Sequence, residues 1–220
     1  NIKACGMKNI LFCGYRDWAI DVLKQISKDI KFNFILLNNP SLLSSAVNTV
    51  KPDIIFFIGW SWMVDTEITK NYLCLCMHPS LLPKYKGGSP IQNQIISGET
   101  CGGITFFRMN DKVDSGDICY QTGISLDGYL DDILELIKNS TIHGINYILN
   151  RGVVFEPQVG EESYFSRRKP EESEIKTEDF SCFYAKELYD KIRCLQKPYP
   201  QAYITCKDGT KLIIEKATIE

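Results

Sequence analysis

The chain has 220 residues, 25 Lys and Arg against 27 Asp and Glu, a formal net charge of −2, and 44% hydrophobic residues. That length supports one well-filled core with a small extension rather than two full domains, and the composition is that of a globular protein rather than a fibrous or disordered one. The balanced charge excludes the basic footprint of a nucleic-acid binder, so a small-molecule substrate and no nucleic-acid partner are expected.

Asn1 to Gly6 precede Met7-Lys8-Asn9-Ile10, which reads as a natural start, so those six residues are expected to be a leftover leader and not part of the fold. Residues 10–13 form a short apolar run ending at Gly14, followed by Trp18, Ala19, Val22, Leu23 and Ile26 at helical spacing. The order then repeats: strands over 34–37, 53–58 and 73–77 alternate with helices over 42–50 and 66–72. Alternation of this kind predicts a Rossmann-like α/β fold around a mostly parallel, twisted sheet. A helix over 90–97, strands over 103–107 and 118–122, and one long amphipathic helix over 130–149 follow, the last with Ile133, Ile137, Ile145 and Ile148 able to face the sheet. Beyond Arg151 the composition turns to Glu, Ser, Arg, Lys and Pro. A traversing loop over 160–176, a helix over 184–195 and a hairpin around Lys207-Asp208-Gly209 are predicted there.

The longest nearly pure apolar stretch, residues 54–60, is far below the ~20 residues that span a bilayer, so no membrane partner and a cytoplasmic location are expected. Nine cysteines are an odd number and contain no CxxC, which points to reduced thiols packed as small hydrophobes. With no HExxH and no cysteine pair at zinc spacing, no metal is expected.

Three stretches carry candidate chemistry. Gly14-Tyr15-Arg16-Asp17 follows the first strand but lacks the GxGxxG pattern, so NAD binding is not expected; it is either a plain turn or places Arg16 or Tyr15 at the mouth of a cleft. His78, one of two histidines, stands at the carboxyl end of a predicted central strand, where open α/β sheets bind ligands; it is either structural or an acid–base group. After it, Lys84, Lys86, Gly87 and Gly88 lead into the helix that begins at Pro90 and carries Gln92. Backbone amides at such a helix start suit a phosphate, and a basic surface loop is the plainer alternative. Val113-Asp114-Ser115-Gly116 reads by itself as a turn.

Together, His78-Pro79-Ser80-Leu81-Leu82-Pro83-Lys84-Tyr85-Lys86-Gly87 and Val113-Asp114-Ser115-Gly116-Asp117-Ile118 resemble the HPSLLPxYxG and VDxGxI blocks of the formyltransferases that use 10-formyltetrahydrofolate. The resemblance runs from Met7 to about Thr205. It implies a formyltransferase catalytic domain over residues 7–155 with a loop, helix and hairpin extension over 156–220. It further implies catalytic positions at His78 and Asp114, and a pterin held between Gly59, Trp60, Ser61, Trp62, Met63 and Val64 on one side and Asp111, Val113 and Asp114 on the other. Tetrahydrofolate would be the product.

Within that family the tail, with Tyr164, Arg167 and Arg168 before Pro170 and with Tyr199 in Pro198-Tyr199-Pro200-Gln201-Ala202, is most similar to the sugar N-formyltransferases. That likeness implies a nucleotide-linked amino sugar as acceptor, such as a dTDP-, GDP- or UDP-linked 4-amino-4,6-dideoxy sugar, a pseudaminic acid precursor among them, in glycan or lipopolysaccharide biosynthesis. Methionyl-tRNA, glycinamide ribonucleotide and a non-catalytic folate or nucleotide-sugar binder stand as alternatives, and a homodimer is left open.

One departure bears on mechanism. The family pattern is Asn-x-His, and Cys76 stands at the Asn position. Strand alternation puts Cys74, Cys76 and His78 on one side. Cys76 either fills the position while other groups donate hydrogen bonds, or accepts the formyl group itself, or marks a site that only binds.

Overall fold

The computed structural model describes residues 7–220; residues 1–6, the expected leader, lie outside the described residues. The chain begins β1 (Lys8–Cys13), α1 (Asp17–Ile26), β2 (Phe32–Leu37), α2 (Leu43–Val50), β3 (Ile54–Ile58), α3 (Thr66–Asn71) and β4 (Cys74–His78), the alternation that the sequence predicts. It continues with β5 (Lys86–Gly87), α4 (Pro90–Ile96), β6 (Cys101–Arg108), β7 (Ile118–Ser125) and α5 (Leu130–Arg151). The tail holds β8 (Tyr164–Phe165), α6 (Asp179–Cys182), α7 (Ala185–Cys194), β9 (Tyr203–Thr205) and β10 (Lys211–Ile213).

Six strands make one sheet in the order β2-β1-β3-β4-β6-β7. The first four are parallel, and β6 and β7 run antiparallel to their neighbours. The sheet is therefore mixed: the predicted parallel pairing holds across β2, β1, β3 and β4 and ends where β6 enters antiparallel to β4, and β7 then pairs antiparallel with β6 through a loop too short for a parallel crossover.

β3 reads Ile-Ile-Phe-Phe-Ile and is buried along its whole length, as a strand covered on both faces must be. Alternation sorts the remaining side chains between two layers. Ile10, Phe12, Phe56, Ile58, Leu75 and Met77 pack against Ala19, Val22 and Ile26 of α1 and against Ile133, Ile137, Ile145 and Ile148 of α5. On the opposite face Leu11, Cys13, Ile55, Phe57 and Cys74 meet Leu43 and Val47 of α2 and Ile68 of α3. Each fully buried Ile of α5 contributes on the order of 2 kcal/mol, and truncating one to Ala costs about 2–5 kcal/mol because the cavity left behind adds to the lost transfer energy.

The tail shares this core. Ile175, Ile192, Cys194, Leu195 and Ala202 join the cluster that contains Ile91 and Ile95 of α4. Arg193, buried on α7, is ion-paired with Asp190 at 2.6 Å and donates to the Leu126 and Gly128 carbonyls just past β7. The final hairpin forms with Gly209 at φ 81°, a conformation that favours glycine. Inside the predicted traversing loop lies β8, which pairs in parallel with β5.

Strand order reverses between β1 and β3, with β2 to one side and β4 to the other. The loops leaving their carboxyl ends diverge, and a crevice opens between them.

Candidate active site

A cavity of about 800 Å³ occupies that crevice. His78 ends β4 and is buried at its floor, with Nε2 2.7 Å from the Tyr85 carbonyl. A carbonyl can only accept, so Nε2 carries the hydrogen and Nδ1 is left facing Asp114 Oδ2 at 3.4 Å. Asp114 sits in a left-handed turn at φ 49°, unusual for a non-glycine residue, and its Oδ2 also accepts the Gly87 N–H at 2.8 Å. Two residues later Gly116 is obligatory, because a Cβ there would lie 1.6 Å from the Arg108 carbonyl oxygen. The two sequence blocks thus meet as a buried imidazole–carboxylate pair, an arrangement able to take up a proton from a ligand in the cavity.

Cys76 lines the same cavity from one turn of the pleat before His78. Burial, with the charge of Asp114 and then Cys74 adding to it, pushes its thiol well above the ordinary value of 9.0. A thiol held protonated is a poor nucleophile, because the thiolate is the reactive form. Cys74, deeper on the same face, is pushed up to about 12 by burial.

One wall is aromatic and apolar. Trp60 packs edge-on against Phe57 and Trp62 at 5.8 and 4.9 Å, and Met63, Val64, Met109, Asp111 and Val113 continue the lining to Asp114. Gly59, which turns the chain out of β3 at φ 61°, leaves no room for a Cβ against the Trp18 ring. The other wall is cationic. Arg16 lies over the rings of Tyr15 and Tyr199 at 5.1 and 5.0 Å, and Arg167 donates to Ser61 Oγ at 3.0 Å, which also meets the Tyr15 hydroxyl at 2.8 Å. Arg168, Lys169, Tyr164 and Lys112 line the cavity too. Burial raises the Tyr199 phenol, and it stays neutral between those arginines.

Five buried side-chain polar atoms have no partner within the chain among the described residues, and four of them are N–H donors of residues that line this cavity: Trp18 Nε1, Trp60 Nε1, Gln92 Nε2 and Arg168 Nε. Buried donors left unpaired cost about 1–3 kcal/mol each, so their concentration here marks a surface built for a ligand rich in acceptors.

The structure corrects the phosphate-cradle reading of the glycine loop. Gly87 and Gly88 border the cavity, but their amides are used by the chain itself, on Asp114 and on the Phe165 carbonyl. Their lack of a Cβ serves the tail, since one at Gly87 would lie 2.3 Å from the Phe165 oxygen and one at Gly88 2.4 Å from the Arg167 backbone. Lys86 is buried away from the cavity, paired with Glu162 at 3.1 Å and reaching Ser115 Oγ at 3.4 Å; Lys84 is exposed and off the lining. Conversely Trp18, Lys112 and Lys169 belong to the site without having been singled out. Lys112 lies between Asp111 and Val113 and Lys169 follows Arg168, so adjacency in the sequence was the available signal. Among the described residues no cluster of three His, Cys, Asp or Glu side chains is placed to hold a metal.

The sequence profile described as Formyl transferase matches residues 37–143. The chain is 36% identical over 174 residues to a methionyl-tRNA formyltransferase of Lysinibacillus sphaericus, an alignment covering 73% of this chain and 53% of that one, so it spans about half the length of that relative. A solved methionyl-tRNA formyltransferase from Clostridium thermocellum superposes with a TM-score of 0.81 at 30% identity, covering 94% of this chain and 97% of that chain. The sugar 3N-formyl transferase WlaRD, solved in the presence of dTDP and 5-N-formyl-THF, superposes with a TM-score of 0.63 at 21% identity over 85% and 78% of the two chains.

Proposed function

The chain belongs to the formyl transferase family, and from that premise we propose that it moves a formyl group from 10-formyltetrahydrofolate to the amine of a nucleotide-linked amino sugar. The folate supplies the formyl carbon on its N10 nitrogen. The wall formed by Trp60, Trp62, Val64, Met109 and Val113 suits a flat pterin, and the unpartnered Trp60 Nε1–H calls for an acceptor there.

The proton work falls to His78. Its Nε2–H is held by the Tyr85 carbonyl, so the amine that attacks the formyl carbon gives its proton to Nδ1, the Asp114 carboxylate stabilises the imidazolium that results, and the imidazolium returns that proton to the folate N10 as the bond from N10 to the formyl carbon breaks. Cys76 stands where the family it resembles has an amide. A thiol is a far weaker hydrogen-bond donor, and Trp60 Nε1 and Gln92 Nε2 are the unused donors on the same cavity that can stand in for it. The protonated thiol has no nucleophilic part in this reading.

The observation that carries the sugar reading is the cationic wall of Arg16, Arg167 and Arg168 around Tyr199, which matches the phosphates and base of a nucleoside diphosphate. The dTDP present with WlaRD is consistent with that chemistry. A second reading, methionyl-tRNA as acceptor, is favoured by the Lysinibacillus relative and the Clostridium structure. Incubation with 10-formyltetrahydrofolate and either a panel of dTDP-, GDP- and UDP-linked amino sugars or methionyl-tRNA separates them. Formyl mass gain on a sugar supports the first reading, whereas gain on the tRNA alone overturns it in favour of the second.

A further inference from the structure

We propose that Gln158 is a positioning residue that holds the Asp114 turn in register with His78, an inference that rests on the catalytic reading of that pair. The Gln158 side-chain amide donates to two carbonyls at once, that of Asp114 at 2.9 Å and that of Gly116 at 2.8 Å. Two carbonyls can only accept, so the nitrogen must face them and both its hydrogens are engaged. The clamp therefore brackets the one non-glycine residue of this loop in the left-handed region, a conformation that persists only where its surroundings over-determine it. Among the described residues Asp114 Oδ2 has a single anchor of its own besides His78, the Gly87 N–H.

Gln158 is itself fixed from both sides. Two positions before it, Glu156 exchanges backbone hydrogen bonds with Ile118 at the start of β7, at 2.8 and 2.9 Å. Five positions after it, Ser163 Oγ accepts the Tyr85 N–H at 2.8 Å, and the Tyr85 carbonyl is the group that holds His78 Nε2. One strap of chain, residues 156–163, thus sets the position of the carboxylate through Gln158 and of the imidazole through Tyr85. Displacements near 1 Å in such a pair can cost about a hundredfold in rate, so the strap acts on turnover rather than on binding.

The test compares three variants in the full chain. Gln158→Met keeps length and loses both donors; it is expected to lower kcat about tenfold to a hundredfold while leaving the KM for the folate within about threefold. Gln158→Lys restores donors and is expected to keep at least a third of wild-type kcat, while Gln158→Glu, which cannot donate at neutral pH, is expected to behave like Met. In an Asp114→Asn background, Gln158→Met should cause no further loss, because it acts through Asp114. A kcat within twofold of wild type for folded Gln158→Met overturns the inference, as do equal activities of the Lys and Glu variants; that second comparison decides the matter if Met fails to fold. Full activity of His78→Asn sinks the catalytic reading and the inference with it, whereas an inactive His78→Asn beside a normal Gln158→Met sinks the inference alone.

Discussion

The two sides of the cavity are built on opposite plans. At the His78–Asp114 floor the chain fixes the groups in place: Nε2–H donates to the Tyr85 carbonyl, Oδ2 accepts the Gly87 N–H, and Nδ1 is left beside the Asp114 carboxylate, ready for a proton. Along the flanking walls Trp18, Trp60, Gln92 and Arg168 keep buried donors with no partner among the described residues. A floor positioned before any ligand arrives needs no reorganisation when charge develops, which is what lowers a barrier. Walls with unused donors are instead completed by what binds there. The contrast assigns proton transfer to the floor and hydrogen-bond donation to what binds to the walls, with the arginines serving acceptor affinity, and the following variants break or sharpen it.

The largest effect belongs to His78→Asn, expected to lower kcat by at least ~100-fold with little change in folate affinity, because positioned proton transfer contributes 10²–10⁴. Steady-state kinetics beside folate binding by fluorescence decide it, and near-normal turnover would remove His78 from the chemistry. Next comes the anchor of the tail that carries the cationic wall. Arg193→Met leaves the buried Asp190 with only its exposed partner Lys186 and should cost about 3 kcal/mol in urea unfolding, the low end for breaking a buried pair. A midpoint unchanged from wild type would show that the pair does not secure the tail.

Arg168→Met should raise the acceptor KM about tenfold, roughly 1.4 kcal/mol, at unchanged kcat; a fall in kcat without a change in KM would erase the division between floor and wall. The smallest effect is expected at Cys76. Cys76→Ser should stay within about threefold of wild type and Cys76→Asn should equal or exceed it, since an amide donates better than a thiol. Loss of transfer in folded Cys76→Ser, or a formyl-thioester mass on the wild type without acceptor, would reinstate the thiol as nucleophile.

Alkaline pH gives a further test of the burial behind that argument. Cys74, Cys119 and Cys194 are each pushed from 9.0 up to about 12 by desolvation. Groups whose pKa is raised on folding contribute fully below the unfolded value and lose that contribution as pH climbs toward the folded one. The unfolding midpoint should accordingly hold steady up to about pH 9 and fall between pH 9 and 12; a midpoint flat across that window would mean these thiols are not desolvated.

The fold was legible wherever a periodicity had one physical meaning. The all-apolar Ile54–Ile58 could only be a strand covered on both faces, and the isoleucines of α5 declared which side of that helix was inside. Antiparallel entry of β6 and β7 was not legible, because an apolar run carries no direction. In the site, His78 and Asp114 were legible through the motifs around them, and the structure brings them to 3.4 Å. Lys86, Gly87 and Gly88 were legible as special but not as to purpose: basic and glycine residues before a helix suit a phosphate and a crossing backbone equally, and only the pairing with β8 decides. Gln158 left no trace, since a lone glutamine in a polar stretch is indistinguishable from surface until its two carbonyl partners are in view.

The pairing of β5 with β8 also bears on how the molecule comes into being. Tyr85 meets Ser163 across 78 positions and Ser61 meets Arg167 across 106. At synthesis rates of about 5–20 residues per second, roughly three to ten seconds separate the emergence of Asp114 from that of Arg168. During that interval the nascent sheet can collapse with its histidine and carboxylate already made, yet neither is clamped. The His78–Asp114 pair of the growing polypeptide gains its clamp only once residues 156–168 have emerged and crossed the glycines at positions 87 and 88.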